Sequence, residues 1–130
     1  LFGTGIAIYW GEGDKRLQNS IVRVSNADPR LLAVFLAFLF RCCRVPREKI
    51  HIWLFLYPDH NERRVVNYWS RLLKIPARQF LKPYRAHGKE KRRQVQHGIC
   101  TVQVYSRELK EKIIEWIDLY SQHIKSAGIV

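Results

Sequence analysis

Methionine is absent from the 130 residues, so the chain has no initiator residue, and it opens inside an apolar pattern, as a fragment with a missing upstream part would. Acids are scarce as well: eleven Asp and Glu stand against 23 Lys and Arg, for a formal charge of +12. So large a basic excess points to a polyanionic partner, with nucleic acid ahead of an anionic membrane surface. Cysteine is rare. Cys42, Cys43 and Cys100 include one vicinal pair and no CxxC spacing, which argues against a zinc ribbon and a disulfide framework and for the buried thiols of a reduced protein. The five histidines lack ligand spacing. Long hydrophobic runs are missing too: residues 31–40 and the N-terminal stretch fall short of the ~20 apolar residues that span a bilayer. No membrane partner is therefore expected, and the expected location is cytoplasmic, on the nucleoid when bound to it.

What is present suits a single domain, 1–130, with one sizeable core. Forty-seven per cent of residues are apolar, so no segment reads as disordered by composition. Residues 21–24 read as a strand with Arg23 on the alternate face, after a Gln18-Asn19 turn. Asp28-Pro29 is a cap followed by a first-turn proline, opening a core helix over 30–43. Residues 50–57 read as a central strand that Pro58 ends. Asp59 or Asn61 caps the next helix, whose inward stripe is Val65, Val66, Trp69, Leu72 and Leu73. Pro76 breaks it, and 77–80 reads as one further turn. Residues 99–105 alternate as a strand. Ser106 then caps a last helix with an apolar stripe from Leu109 to Ile124 and an acidic outer face at Glu108, Glu111, Glu115 and Asp118.

The first thirteen residues, LFGTGIAIYWGEG, hold the sharpest pattern. Gly3, Ala7 and Gly11 recur every four residues, so they line one stripe of a helix and admit a second backbone closely. Leu1, Phe2, Ile6, Ile8, Tyr9 and Trp10 cover the rest, and nearly every face expects burial. Glu12 follows at the end, with Gly13 expected to stop the helix in the left-handed conformation. The bland reading is a buried N-terminal helix with a solvated Glu12.

A helix with small residues four apart, closing on Gly11-Glu12-Gly13, resembles the signature helix of the LAGLIDADG homing endonucleases, which ends in small-Asp-Gly. The resemblance extends weakly over most of the chain. It implies an α+β fold, the αββαββα unit, with a small, mostly antiparallel sheet covered by helices. Three strands are clear; the fourth falls in 15–17 or 82–95. The resemblance also implies a homodimer packed at Gly3, Ala7 and Gly11, and a pair of Glu12 carboxylates as catalytic ligands of Mg²⁺ for duplex DNA cleavage. Trp10 stands where the family has its first Asp, and Glu12 replaces the commoner Asp. Both departures suit the alternative of a DNA-binding regulator that does not cut.

Charge gathers in the middle of the chain. Between Arg63 and Arg93 eleven basic residues stand against the single acid Glu90, which is +10 of the total +12. Lys82, Arg85, Lys89, Lys91, Arg92 and Arg93 make a connecting stretch expected to bind nucleic acid, with Lys15 and Arg16 after the first helix and Arg23 on its strand. The alternatives are a solubilising loop and, for Arg23, a solvated strand face. A regulator has a second form, in which 68–80 is a helix-turn-helix. A third reading makes the basic surface a dock for acidic proteins.

Overall fold

The computed structural model describes residues 1–88 and 96–130. Helix α1 (Phe2–Glu12) leads into β1 (Ile21–Asn26), α2 (Pro29–Arg41), β2 (His51–Leu56), α3 (Glu62–Leu73), β3 (Tyr84–Arg85), β4 (Ile99–Tyr105) and α4 (Arg107–Ser126). The described strands form one mixed sheet in the order β1-β4-β2-β3. β4 lies antiparallel to both β1 and β2, while the two residues of β3 run parallel to β2. The protein is thus α+β. Its fourth strand falls within the second of the two expected stretches, and α2 stands between β1 and β2, where a plain αββαββα order has no helix.

Local chemistry starts and stops the helices. The Asp28 carboxylate accepts from the Arg30 N–H and Pro29 follows it at the first helical position. Asn61 caps α3 through the Arg64 N–H, and the Ser106 hydroxyl caps α4 through the Leu109 N–H. α3 closes at Lys74, whose φ of 56° is left-handed and turns the chain out of the helix.

Alternation places Val22 and Val24 of β1, Ile52, Leu54 and Leu56 of β2, and Cys100, Val102 and Val104 of β4 in the core, all nearly or fully buried. Tyr9, Phe35, Phe38 and Trp69 are completely buried with them. Burial pushes the Cys43 thiol up to about 12 and the Cys100 thiol higher still, which disfavours the thiolate at neutral pH.

Four expectations change. Gly13 is extended, at φ −82° and ψ 156°, so it ends α1 without the left-handed conformation. Glycine is required there because a Cβ would sit 2.4 Å from the Tyr9 ring. Nor is α1 buried all round: Gly3, Thr4, Ala7, Gly11 and Glu12 are exposed, and Trp10 is 44% exposed. Leu72, expected inward on α3, is 46% exposed. Finally, α3 is followed only by a three-residue 3₁₀ turn, Ala77–Gln79, whose Gln79 amide is spent on the Arg47 and Ile50 carbonyls. That turn is too short for a recognition helix, so 68–80 is not a helix-turn-helix.

Candidate nucleic-acid interface

The residues that alternate away from the core give the sheet a second, open face. Three rows cross it. Arg23, Gln103 and His51 lie side by side on β1, β4 and β2; Ser25, Thr101 and Trp53 form the next row; Ile99, Phe55 and Tyr84 the third. The Ser25 and Thr101 hydroxyls share a hydrogen bond of 2.6 Å, which satisfies the buried threonine. Tyr105, at one end of β4, is 75% exposed.

At the margin of this face the end of α1 folds back. Gly13 bridges Val24 in antiparallel fashion, and the Asp14 N–H donates to the Arg23 carbonyl at 3.1 Å. The result is a short arm that brings Glu12 beside β1. A concavity of about 570 Å³ is lined there by Glu12, Asp14, Lys15, Arg16, Arg23 and Ser25. Glu12 and Arg23, eleven positions apart in sequence, thus share one site.

Asp14 organises it. Its carboxylate, 9% exposed, accepts from the Arg23 guanidinium at 2.8 Å, from Arg16 at 3.2 Å and from the Asn19 amide at 3.2 Å. The Tyr9 hydroxyl donates to its main-chain carbonyl. Lys110, fully buried on α4, donates to Asn19 Oδ1 at 2.8 Å and stands 3.8 Å from Asp14. Burial by itself would raise the Asp14 pKa, but the hydrogen bonds from Arg16, Arg23 and Asn19 hold the carboxyl far below the usual range. Burial likewise lowers the Lys110 pKa, and the Asp14 charge opposes that shift. Asp14, two residues beyond the helix end, reads in the sequence as an acid that could assist Glu12, although nothing in the spacing demands it, and Lys110 does not stand out as part of a site.

The expected nucleic-acid residues fare differently. Arg23 reaches the open face but shares its charge with Asp14, and Arg16 does the same while 70% exposed. Lys15 closes the end of α1, donating to the Trp10 and Gly13 carbonyls at 2.8 and 3.1 Å. Arg85 donates to the Tyr57, Pro58 and His60 carbonyls, fixing the turn after β2, and among the described residues no carboxylate pairs with it or with the exposed Lys82. Lys89, Lys91, Arg92 and Arg93 lie outside the described residues.

Glu12 has no hydrogen bond or ion pair among the described residues. It is the one uncommitted carboxylate at the concavity, because Asp14 is spent on its cations. No group of three or more His, Cys, Asp or Glu that could hold a metal occurs among the described residues. Mg²⁺ prefers oxygen donors in an octahedron, and among the described residues that line the concavity one chain offers a single free carboxylate toward it. A second Glu12 and phosphate oxygens would have to complete the set.

The small-residue stripe remains open. A Cβ at Gly3 or Gly11 would meet nothing within 4 Å, whereas one at Gly5 would lie 2.1 Å from Phe38 Cγ. Gly5 is therefore the residue that lets α1 approach α2, which the four-residue spacing does not single out. Beside the stripe an apolar groove of about 510 Å³ runs between α1 and α4, lined by Phe2, Gly3, Ala7, Trp10, Trp116 and Tyr120. Among the described residues no helix is long and apolar enough to cross a membrane. Comparison with protein-family models, with curated proteins and with solved structures finds no match to this chain.

Proposed function

We propose that this chain binds duplex DNA across the open face of its sheet, as a homodimer of the build that the LAGLIDADG resemblance implies. The observation that carries this reading is the meeting of polar row and concavity: Arg23, Gln103 and His51 in line across three strands, next to Glu12, Lys15 and Arg16. Strands about 4.8 Å apart make such a row roughly 10 Å wide, which a major groove of about 12 Å accepts. Arg and Gln are side chains that read base edges there. The rest of the +12 charge supplies phosphate contacts.

The dimer follows from α1. Its exposed Gly3, Ala7 and Gly11 and the groove beside them suit a second copy of the same helix. Two helices crossing there bring two Glu12 carboxylates together, and this pair is the proposed Mg²⁺ site. When bound, the ion would activate water and stabilise the leaving oxygen of a phosphodiester. Glu12 would hold the ion, and Arg23 and Arg16 would orient the phosphate.

A second reading, binding without cleavage, draws on Asp14. With that acid fully engaged by Arg16, Arg23 and Asn19, the site keeps few oxygen ligands. One experiment separates the two: randomised duplex DNA is incubated with the protein over a salt series, with and without Mg²⁺. Cleavage predicts metal-dependent nicking that Glu12→Gln abolishes while affinity stays; pure binding predicts a steep salt dependence and no metal effect. Binding that ignores salt would overturn both.

A further inference from the structure

The row that reaches the β3 edge of the sheet has a different chemistry from the row that carries Arg23. Phe55 and Tyr84 stack with ring centroids 5.2 Å apart and planes at 28°, and Trp53 lies 6.4 Å from Tyr84. Tyr57 meets Phe55 edge-on at 5.5 Å. Tyr84, on the edge strand, is 48% exposed; Trp53 and Phe55 are half-buried on the open face beside it. Arg85 follows Tyr84 directly and Lys82 precedes it by two positions, both exposed and without a carboxylate partner among the described residues. Phe55 and Tyr84 lie face to face, Trp53 is tilted against Tyr84 at 44° and Tyr57 meets Phe55 edge-on, and the group is flanked by cations.

A B-form duplex has little use for such a surface. Its base faces are stacked on one another, and only base edges and phosphates reach a protein. Ring faces become useful when bases are unpaired and free to stack on them, as on other four-stranded sheets with open aromatic rows. We infer that the β2-β3 end of the open face is a stacking platform for unpaired nucleobases, so that the preferred ligand is a nucleic acid with about two or three unpaired nucleotides at that end. This rests on the reading that the open face binds nucleic acid, and it narrows the class of ligand. Rows on a strand are two residues, about 7 Å, apart. The aromatic row therefore lies roughly 14 Å from the Arg23 row, far enough for paired bases to occupy one and unpaired bases the other.

The test is fluorescence anisotropy at fixed salt with three labelled probes of one sequence: single-stranded DNA, single-stranded RNA and blunt duplex DNA. Tyr84→Ala is expected to weaken single-strand binding about five- to a hundredfold, with duplex affinity unchanged. Tyr84→Phe keeps the ring and should keep the affinity. Since Tyr84 lies on an exposed edge, melting of both variants by circular dichroism serves as the check on folding. Loss on either single strand supports the inference, and the strand that shows it identifies the source of the bases. If Tyr84→Ala matches the wild type on single strands, or loses duplex affinity equally, the platform is refuted while duplex binding stands. If no probe binds in a salt-dependent way, the reading of the open face falls, and the platform with it.

Discussion

Replacing Asp14 by Asn removes one charge and almost no volume, and it strikes the group that ties α4 to the open face. In the wild type the carboxylate neutralises Arg23 at 2.8 Å and faces the buried Lys110 ammonium at 3.8 Å. Without it Lys110 keeps only the Asn19 oxygens, at 2.8 and 3.4 Å. Breaking a buried ion pair from one side costs about 3–5 kcal/mol. Because the Lys110 contact is long and Asp14 lies just beneath the surface, about 2–3 kcal/mol is the expected loss. In a domain of this size that lowers Tm by about 7–12 °C. A denaturation cycle with Asp14→Asn, Lys110→Met and the double variant should give a coupling of at least about 1 kcal/mol. The sign with pH is also determined. The folded carboxyl stays ionised where an unfolded one, with a pKa near 3.9, takes up a proton. Its contribution is complete above that value and disappears as pH falls toward the depressed folded value. The gap between wild type and Asp14→Asn should close as pH falls below about 4. Additive single-variant effects, or a gap that widens in acid, would refute the coupling.

Two glycines of α1 should respond in opposite directions. Gly5→Ala drives a Cβ into Phe38 and should cost about 1–3 kcal/mol despite the better helix propensity; Gly11→Ala meets nothing within its own chain and should gain up to about 0.5–1 kcal/mol in the dissociated protomer, and equal signs in urea unfolding at protein concentrations that keep the chain monomeric would overturn this account of the helix. Gly11→Leu should leave far-UV circular dichroism intact and convert a sedimenting dimer to a monomer, so a variant dimer of unchanged mass would remove α1 from the interface.

The starts of the helices were legible because their causes are local. Asp28-Pro29, Asn61 and Ser106 act on N–H groups two or three residues away, and alternation along β1, β2 and β4 names the inward side chains without knowing what they meet. The site was legible in part: the acid at the end of α1 and the outward Arg23 can be read from position, but their shared concavity cannot. For α1, periodicity showed that Gly3, Ala7 and Gly11 share a stripe. It did not say which stripe meets the chain's own core, since a helix apolar on nearly every side has no inward direction of its own, and α2 chose Gly5. Lys110 reads as one more surface cation on an amphipathic helix. Burial became tolerable only when Asn19, ninety-one positions earlier, and Asp14 closed over it. The edge strand Tyr84–Arg85 is two residues long, too short for any alternation, and exists because β2 offers it a parallel partner. Composition and local spacing thus determined the helix caps, the inward faces and the basic character of the chain. The tertiary structure alone decided which acid is free and which is spent, because neutralising a charge requires groups within a few ångströms, and only folding brings distant positions that close.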